Sequence, residues 1–361
     1  MRDRIDVGVL GATGIVGQHL VSRLADHPWF RLAWVAASHR SAGRRYGELP
    51  WRLAAPRPIQ ARDLIVRRID PSDAPPLVFS ALDAAVAGEA ETAFARAGRL
   101  VVSNARNHRL DPLVPLLIPE VNADHLALLD AQRQTYGWSG GLITNPNCST
   151  VILTMALAAL RRFGLRRVVV TTLQALSGAG HPGVPALDAV GNVIPYISGE
   201  EEKIETETRK LLGTLAGGRI ADAPLAISAQ ATRVPVADGH TVAVAVELEQ
   251  AASTQDVRDA FSSWHGAPQQ LALPSAPARP LVYLDDHDRP QPRLDVWEAG
   301  GMAVTVGRLR RCPVLTWKFV ALGHNVVRGA AGAALLNAEL AVASAAPANV
   351  PLTIGTHSMK S

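Results

Sequence analysis

The chain has 361 residues, 48% of them hydrophobic and 19% charged, a globular composition in a length that predicts two domains rather than one core. Its formal charge of +4 comes almost wholly from scattered arginines, since the lysines are only Lys203, Lys210, Lys318 and Lys360. No basic block interleaves with aromatics and no apolar run reaches membrane-spanning length, so nucleic-acid and membrane partners are excluded as expectations.

The opening "MRDRIDVGVLGATG" enters a strand at once, without a signal-peptide pattern, and the expected location is the cytoplasm. "IDVGVLGATGIVGQHLVSRLADH" reads as strand, glycine turn and amphipathic helix. Gly11, Gly14 and Gly17 form GxxGxxG there, which suits a tight turn and close approach of backbone amides to a pyrophosphate. "FRLAWVAAS" is the second strand. An NAD site usually carries an acidic residue at its end to hold the ribose hydroxyls. Here Ser38, Arg40 and Ser41 stand without a carboxylate, a set that suits a 2'-phosphate and favours NADP; an ordinary solvated basic loop is the alternative.

"PPLVFSALD" and "GRLVVSN" are later strands, with the helical "GEAETAFARAG" between them. Strands alternating with helices predict a Rossmann-type, doubly wound parallel sheet over residues 1–147. Ser80 and Asn104 fall at strand carboxyl ends, where ligands gather in such sheets.

The rhythm changes near 148. "LRRVVVTTLQAL", the alternating "TVAVAVELEQ" and a hairpin in "MAVTVGRLRRCPVLTWKFVAL" predict a mixed α+β sheet, with helices on one face, over 148–327. The alanine-rich stretch 328–347 is expected to be a helix packing back on the first domain, and 348–361 a tail.

Two cysteines are too few and too far apart for a disulfide framework or a structural zinc site, and no metal is expected. In "TNPNCSTVILTMALAAL" Cys148 opens a helix, where amides and dipole can lower a thiol pKa to ~3.5–7.5. The same amides can hold an oxyanion; a small buried core residue is the bland alternative. Cys312 lies in an apolar hairpin and reads as core filler. Asn147-Cys148-Ser149 matches a glycosylation acceptor, read as coincidence.

The motifs "GATGIVGQ", "ASHRSAG", "HRLDPLVPLLIPEVN", "NPNCST", "LQALSGAG", "GEEEK", "RVPVADGH", "GRLRRC" and "GHNVVRGAAGAALLNAEL" occur in an order that resembles the aspartate-semialdehyde dehydrogenases. The likeness spans residues 5 to 343 and leans toward the branch shared by archaea, fungi and some bacteria. It implies NADP-dependent, reversible reductive dephosphorylation of aspartyl phosphate in amino-acid biosynthesis. Cys148 matches the family nucleophile, His240 the general acid/base and Gln174 a residue orienting substrate and thiol. Arg233 matches the carboxylate clamp and Glu200 the ammonium partner, with Glu201 and Glu202 left as alternatives. Lys203 and Arg109 match phosphate contacts, and Asn147 belongs to the same substrate pocket. The cofactor is expected to touch Gly11, Thr13, Gly14, Ile15, Val16, Ser38, Arg40, Ser41, Ser80, Ser177 and Gly178, with Asn325 at the carboxamide. Arg106, Asn107 and Trp297 depart from the family pattern and leave room for a paralogue reducing another acyl phosphate or thioester. A non-catalytic nucleotide-binding paralogue is the remoter alternative. A homodimer, or a homotetramer, is the expected assembly.

Overall fold

Short, almost wholly apolar segments are strands that must be covered on both faces. In the computed structural model, which describes residues 4–345, six of them form one sheet: Ile5–Leu10 (β1), Phe30–Ala36 (β2), Val66–Arg67 (β3), Leu77–Ser80 (β4), Leu100–Ser103 (β5) and Gly141–Thr144 (β6). Their order is β3-β2-β1-β4-β5-β6, and every neighbouring pair is parallel. Two cores alternate along β1 because successive side chains point to opposite faces. Val7 and Val9 pack with Leu20 and Leu24 of the helix Ile15–Leu24 and with Ala334 and Leu335. Leu10 faces Phe94 of the helix Ala84–Arg96 on the other side. The chain order reverses between β1 and β4, which opens a ligand crevice at their carboxyl ends.

A second sheet follows from Leu165–Gln174 (β7), Ala226–Arg233 (β10), His240–Leu248 (β11), Leu281–Leu284 (β12), Val304–Arg311 (β13) and Trp317–Gly323 (β14), with Thr214–Ala216 (β8) and Arg219–Ala221 (β9) as a separate small hairpin. Its order is β10-β7-β11-β14-β13-β12, parallel at β10/β7 and β12/β13 and antiparallel elsewhere. One face is buried under helices Cys148–Leu160, Glu200–Leu211 and Thr254–Ser262, through Val151, Leu157, Ile204, Leu211 and Phe261. On the other face of β7, Val169 and Leu173 are exposed. Along the open edge of β10, Glu201 and Glu205 accept the amides of Ala231 and Ala229, which blunts that edge.

Behind the Cys148 helix, Arg328 and Glu120 form a bidentate ion pair with both side chains fully buried. The chain then turns through Val327–Ala331 into the helix Gly332–Ala345, whose Ala334, Leu335 and Ala338 return to the first sheet. Residues 346 and 347 of the expected helix, and the expected tail 348–361, lie outside the described residues.

Cys312 corrects an expectation. It is half-buried in the turn between β13 and β14, and its sulfur accepts the Leu315 amide. That hydrogen bond, with Lys318 and Arg310 nearby, lowers its pKa. A turn past the last strand residue has no sheet face to bury, so the thiol is not core filler.

Candidate active site

The nucleotide end begins at the β1 turn. A side chain at Gly11, which has φ +71°, would stand 2.4 Å from the Ala81 carbonyl, and one at Gly17 would stand 2.2 Å from the Gly11 carbonyl. Those two glycines are demanded by close backbone packing. Gly14 is different: its only neighbour would be the Gly11 carbonyl at 3.5 Å, and it is the N-cap of the helix without any side-chain cap. A bare helix start with open space before it is a cradle for a pyrophosphate. Thr13, Gly14, Ile15 and Val16 are all at least partly exposed along this lip. After β2, Ser38 and Arg40 are exposed and Ser41 half-buried, in a turn closed by the Ser41 amide on the Ser38 carbonyl. The residues present therefore fit a dinucleotide carrying a 2'-phosphate.

Ser80 and Asn104 form the floor at the ends of β4 and β5. Ser80 is fully buried, and its carbonyl accepts Asn104 Nδ2 at 3.0 Å. Asn104 Oδ1 in turn accepts Asn145 Nδ2 at 2.8 Å.

Cys148 is the first residue of its helix. Asn147 caps that helix, its Oδ1 accepting the amides of Ser149 at 2.9 Å and Thr150 at 3.3 Å. Two of the amides expected to hold an oxyanion are thus engaged by Asn147. The expected lowering of the thiol pKa is also overturned: burial, then the Glu200 carboxylate, push Cys148 up to about 12, against the opposing charges of Arg109 and Arg233. Gly329 presses on Cys148 from behind, where a side chain would come within 2.5 Å of Cys148 Cβ.

Glu200 is the hub of the pocket. Its carboxylate accepts Asn147 Nδ2 at 2.9 Å, Gln174 Nε2 at 3.2 Å and Lys203 Nζ at 2.8 Å. Burial raises its pKa, but Lys203, Asn147 and Gln174 outweigh burial and leave it below the ordinary value. Of the three glutamates considered, Glu200 alone enters the pocket. Glu201 caps β10, and Glu202 is exposed.

Arg233 and His240 meet at one backbone residue. Arg233 Nη1 donates to the Ala175 carbonyl at 2.8 Å, and the Ala175 amide donates to His240 Nδ1 at 3.0 Å. An accepting Nδ1 puts the proton of the neutral ring on Nε2, and Nε2 is buried without a protein partner. Burial and the Arg233 charge lower the His240 pKa to about 3, so the ring is neutral. Gly178, in the turn Leu176–Ala179, must be glycine. A side chain there would stand 2.8 Å from both Arg233 Nη1 and His240 Cε1. Asn325 is engaged on both sides, accepting the Gly239 amide and donating to Ser177 Oγ at 2.9 Å. Its oxygen and its NH2 group each keep a second hydrogen-bonding site.

Arg109 is held by the backbone carbonyl of Asn104 at 2.8 Å and by Glu207 at 3.0 Å. Glu207, Lys210, Ala175 and Gly329 were not singled out from the sequence. The available signal was the spacing of Glu200, Lys203, Glu207 and Lys210, which marks one helix face. Arg106 and Trp297 are exposed, and Trp297 lays its ring edge-on to His324. Among the described residues, no group of three or more His, Cys, Asp or Glu side chains is arranged to hold a metal ion.

Residues 6–129 match the family model of the semialdehyde dehydrogenase NAD binding domain, and residues 157–328 match that of the semialdehyde dehydrogenase dimerisation domain. The aspartate-semialdehyde dehydrogenase of Archaeoglobus fulgidus is 48% identical over 342 residues, covering 94% of this chain and 98% of that protein. That of Cryptococcus neoformans is 49% identical over 357 residues, with 94% and 98% covered. The crystal structure of aspartate semialdehyde dehydrogenase with NADP from Candida albicans matches with a TM-score of 0.88 at 39% identity, over 95% of this chain and 99% of that one. With a doubly wound sheet followed by a mixed sheet, the chain belongs to the aspartate-semialdehyde dehydrogenase family.

Proposed function

We propose that the chain catalyses the NADP-dependent, reversible conversion of L-aspartate 4-semialdehyde and phosphate to L-4-aspartyl phosphate, through a thioester on Cys148. The observation that carries this reading is the setting of Cys148 among Arg109, Arg233 and Glu200, brought together from separate segments of the chain. A lone thiol in a core has no such company.

In the reducing direction the Cys148 sulfur attacks the acyl carbon of aspartyl phosphate. A C–S bond forms, the acyl C–O bond breaks, and phosphate leaves with the electron pair and takes up the thiol proton. Splitting the conversion through a covalent intermediate replaces one difficult step with two easier ones. Arg109 and Lys203 supply positive charge for the phosphate. Arg233 binds the substrate carboxylate with its planar fork, and Glu200, steadied by Asn147 and Gln174, receives the ammonium group. NADPH, when bound, supplies the hydride that reduces the thioester carbon. The C–S bond then breaks, the aldehyde leaves, and the Cys148 sulfur keeps the electron pair and takes up a proton. His240 enters with Nε2–H ready to donate to the substrate oxygen as negative charge builds there. Accepting a proton in the reverse direction requires the ring to release the Ala175 amide.

The test is phosphate-dependent NADPH formation from aspartate semialdehyde. Cys148→Ala is expected to lower turnover by at least about 10³-fold while the protein stays folded. Absence of turnover by soluble wild-type enzyme would reject the reading. Turnover only with an acyl thioester would move it to a paralogous reductase, and binding of NADP without any turnover to a non-catalytic paralogue. Arg40→Ala should erode the preference for NADP over NAD.

We further infer a cytoplasmic homodimer, with a homotetramer as the other outcome of a light-scattering measurement. The support is apolar surface left open: Val169 and Leu173 on the sheet face, and Leu187, Val190, Val193 and Tyr196 on the arm between β7 and β10. Two free thiols and nicotinamide chemistry suit a reducing compartment. No described helix is long and apolar enough to cross a membrane.

A further inference from the structure

The helix Glu200–Leu211 carries a stripe of charge on its buried face: Glu200, Glu207 and Lys210 are buried and Lys203 is half-buried. Charges are seldom placed there unless each is paired. Glu200 and Lys203 pair with each other. Glu207 and Lys210 have no part in the substrate scheme, yet their partners are specific. One Glu207 oxygen accepts Arg109 Nη1 at 3.0 Å, and the other accepts the backbone amide of Asn147 at 2.6 Å. Lys210 Nζ, one turn further on, donates to the carbonyls of Arg109, Asp111 and Val114 at 2.8, 2.7 and 3.0 Å. One helix thus grips the Arg109 loop through its backbone and its side chain, and grips the residue before Cys148 as well.

We propose that Glu207 is a positioning residue of the phosphate site, tying the Arg109 guanidinium to the peptide that precedes Cys148 so that arginine and nucleophile keep a fixed separation. This rests on the reading of Arg109 as the phosphate contact. A carboxylate can do this because its two oxygens accept from two donors at once in a near-planar fork. The Asn104 carbonyl holds Nη2, and Arg109 Nε has no protein partner, so donors remain unspent for an anion. Without Glu207 the guanidinium keeps its charge but loses its bearing relative to the sulfur, and the Asn147 amide becomes a buried orphan.

Glutamine is nearly the shape of glutamate, but its NH2 must face either the guanidinium or the amide, both of which are donors. Glu207→Gln in the full-length enzyme is therefore expected to raise the KM for phosphate about tenfold or more, the scale of one charge-assisted hydrogen bond. The KM for aspartate semialdehyde should change by less than about twofold on the same scale. Glu207→Asp, which keeps the charge, should recover part of the loss. In an Arg109→Ala background, Glu207→Gln should add nothing further to the phosphate KM, because the residue acts through the arginine. An unchanged phosphate KM in folded Glu207→Gln overturns the proposal. So do additive effects in the double variant, and so does a parallel loss in kcat, both KM values and melting temperature. If Glu207→Gln does not fold, the phosphate KM of Glu207→Asp decides alone: wild-type behaviour overturns the proposal, and a selective rise upholds it. Failure of the underlying reading looks different, since Arg109→Ala itself would then leave the phosphate KM untouched.

Discussion

Two helices begin at the rim of the site, and they treat their first-turn amides in opposite ways. At Ile15 the cap is Gly14, which offers no side chain, and space lies open before the amides. At Cys148 the cap is Asn147, whose side chain takes the next two amides for itself. A helix start is a generic anion site only where it is left bare. The first is bare and suits a pyrophosphate. The second is capped, and although Arg109, Arg233 and the Ser149 amide all favour the thiolate, burial and Glu200 outweigh them and hold the thiol neutral.

The strongest way to break the contrast lies behind the capped helix. Arg328→Met removes one partner of the fully buried pair with Glu120 and should cost about 3–5 kcal/mol in denaturant unfolding. At the bare helix the glycines should separate by sign. Gly17→Ala, with a side chain forced against the Gly11 carbonyl, should destabilise by about 2 kcal/mol. Gly14→Ala should leave stability unchanged or slightly raised, since φ is −77° there, while weakening NADP binding in calorimetry. Removing the cap gives a smaller effect: Asn147→Ala should cost about 1 kcal/mol. It should also speed iodoacetamide labelling of Cys148 as the freed amides favour thiolate. In the unliganded wild type, a thiol pushed up to about 12 should label faster with every rise in pH and show no plateau near neutrality.

Much of this arrangement was legible in the sequence because it rests on periodicity and on backbone needs. The apolar runs predict both sheets, and Gly11, Gly14 and Gly17 mark a turn that suits a nucleotide. Cys148 announced itself by its place before an apolar helix. What stayed hidden depends on side-chain direction. In "GEEEKIETETRK" charge alone does not tell which side of the helix is covered. Only the fold assigns Glu201 and Glu205 to the β10 edge and turns Glu200 and Glu207 inward. The dipole argument gives the wrong sign for Cys148 because it leaves out burial and the Glu200 carboxylate, which only the fold brings to the thiol.

The central claim is that Cys148 carries the acyl group, and trapping that group tests it most directly. The enzyme would be mixed with aspartate semialdehyde and NADP in phosphate-free buffer, quenched in acid, and its intact and peptide masses read. The account predicts a burst of NADPH approaching one per chain and a single aspartyl adduct on the peptide holding Cys148, both absent from Cys148→Ala. An adduct on another residue, or NADPH formed by the alanine variant at the wild-type rate, would contradict it.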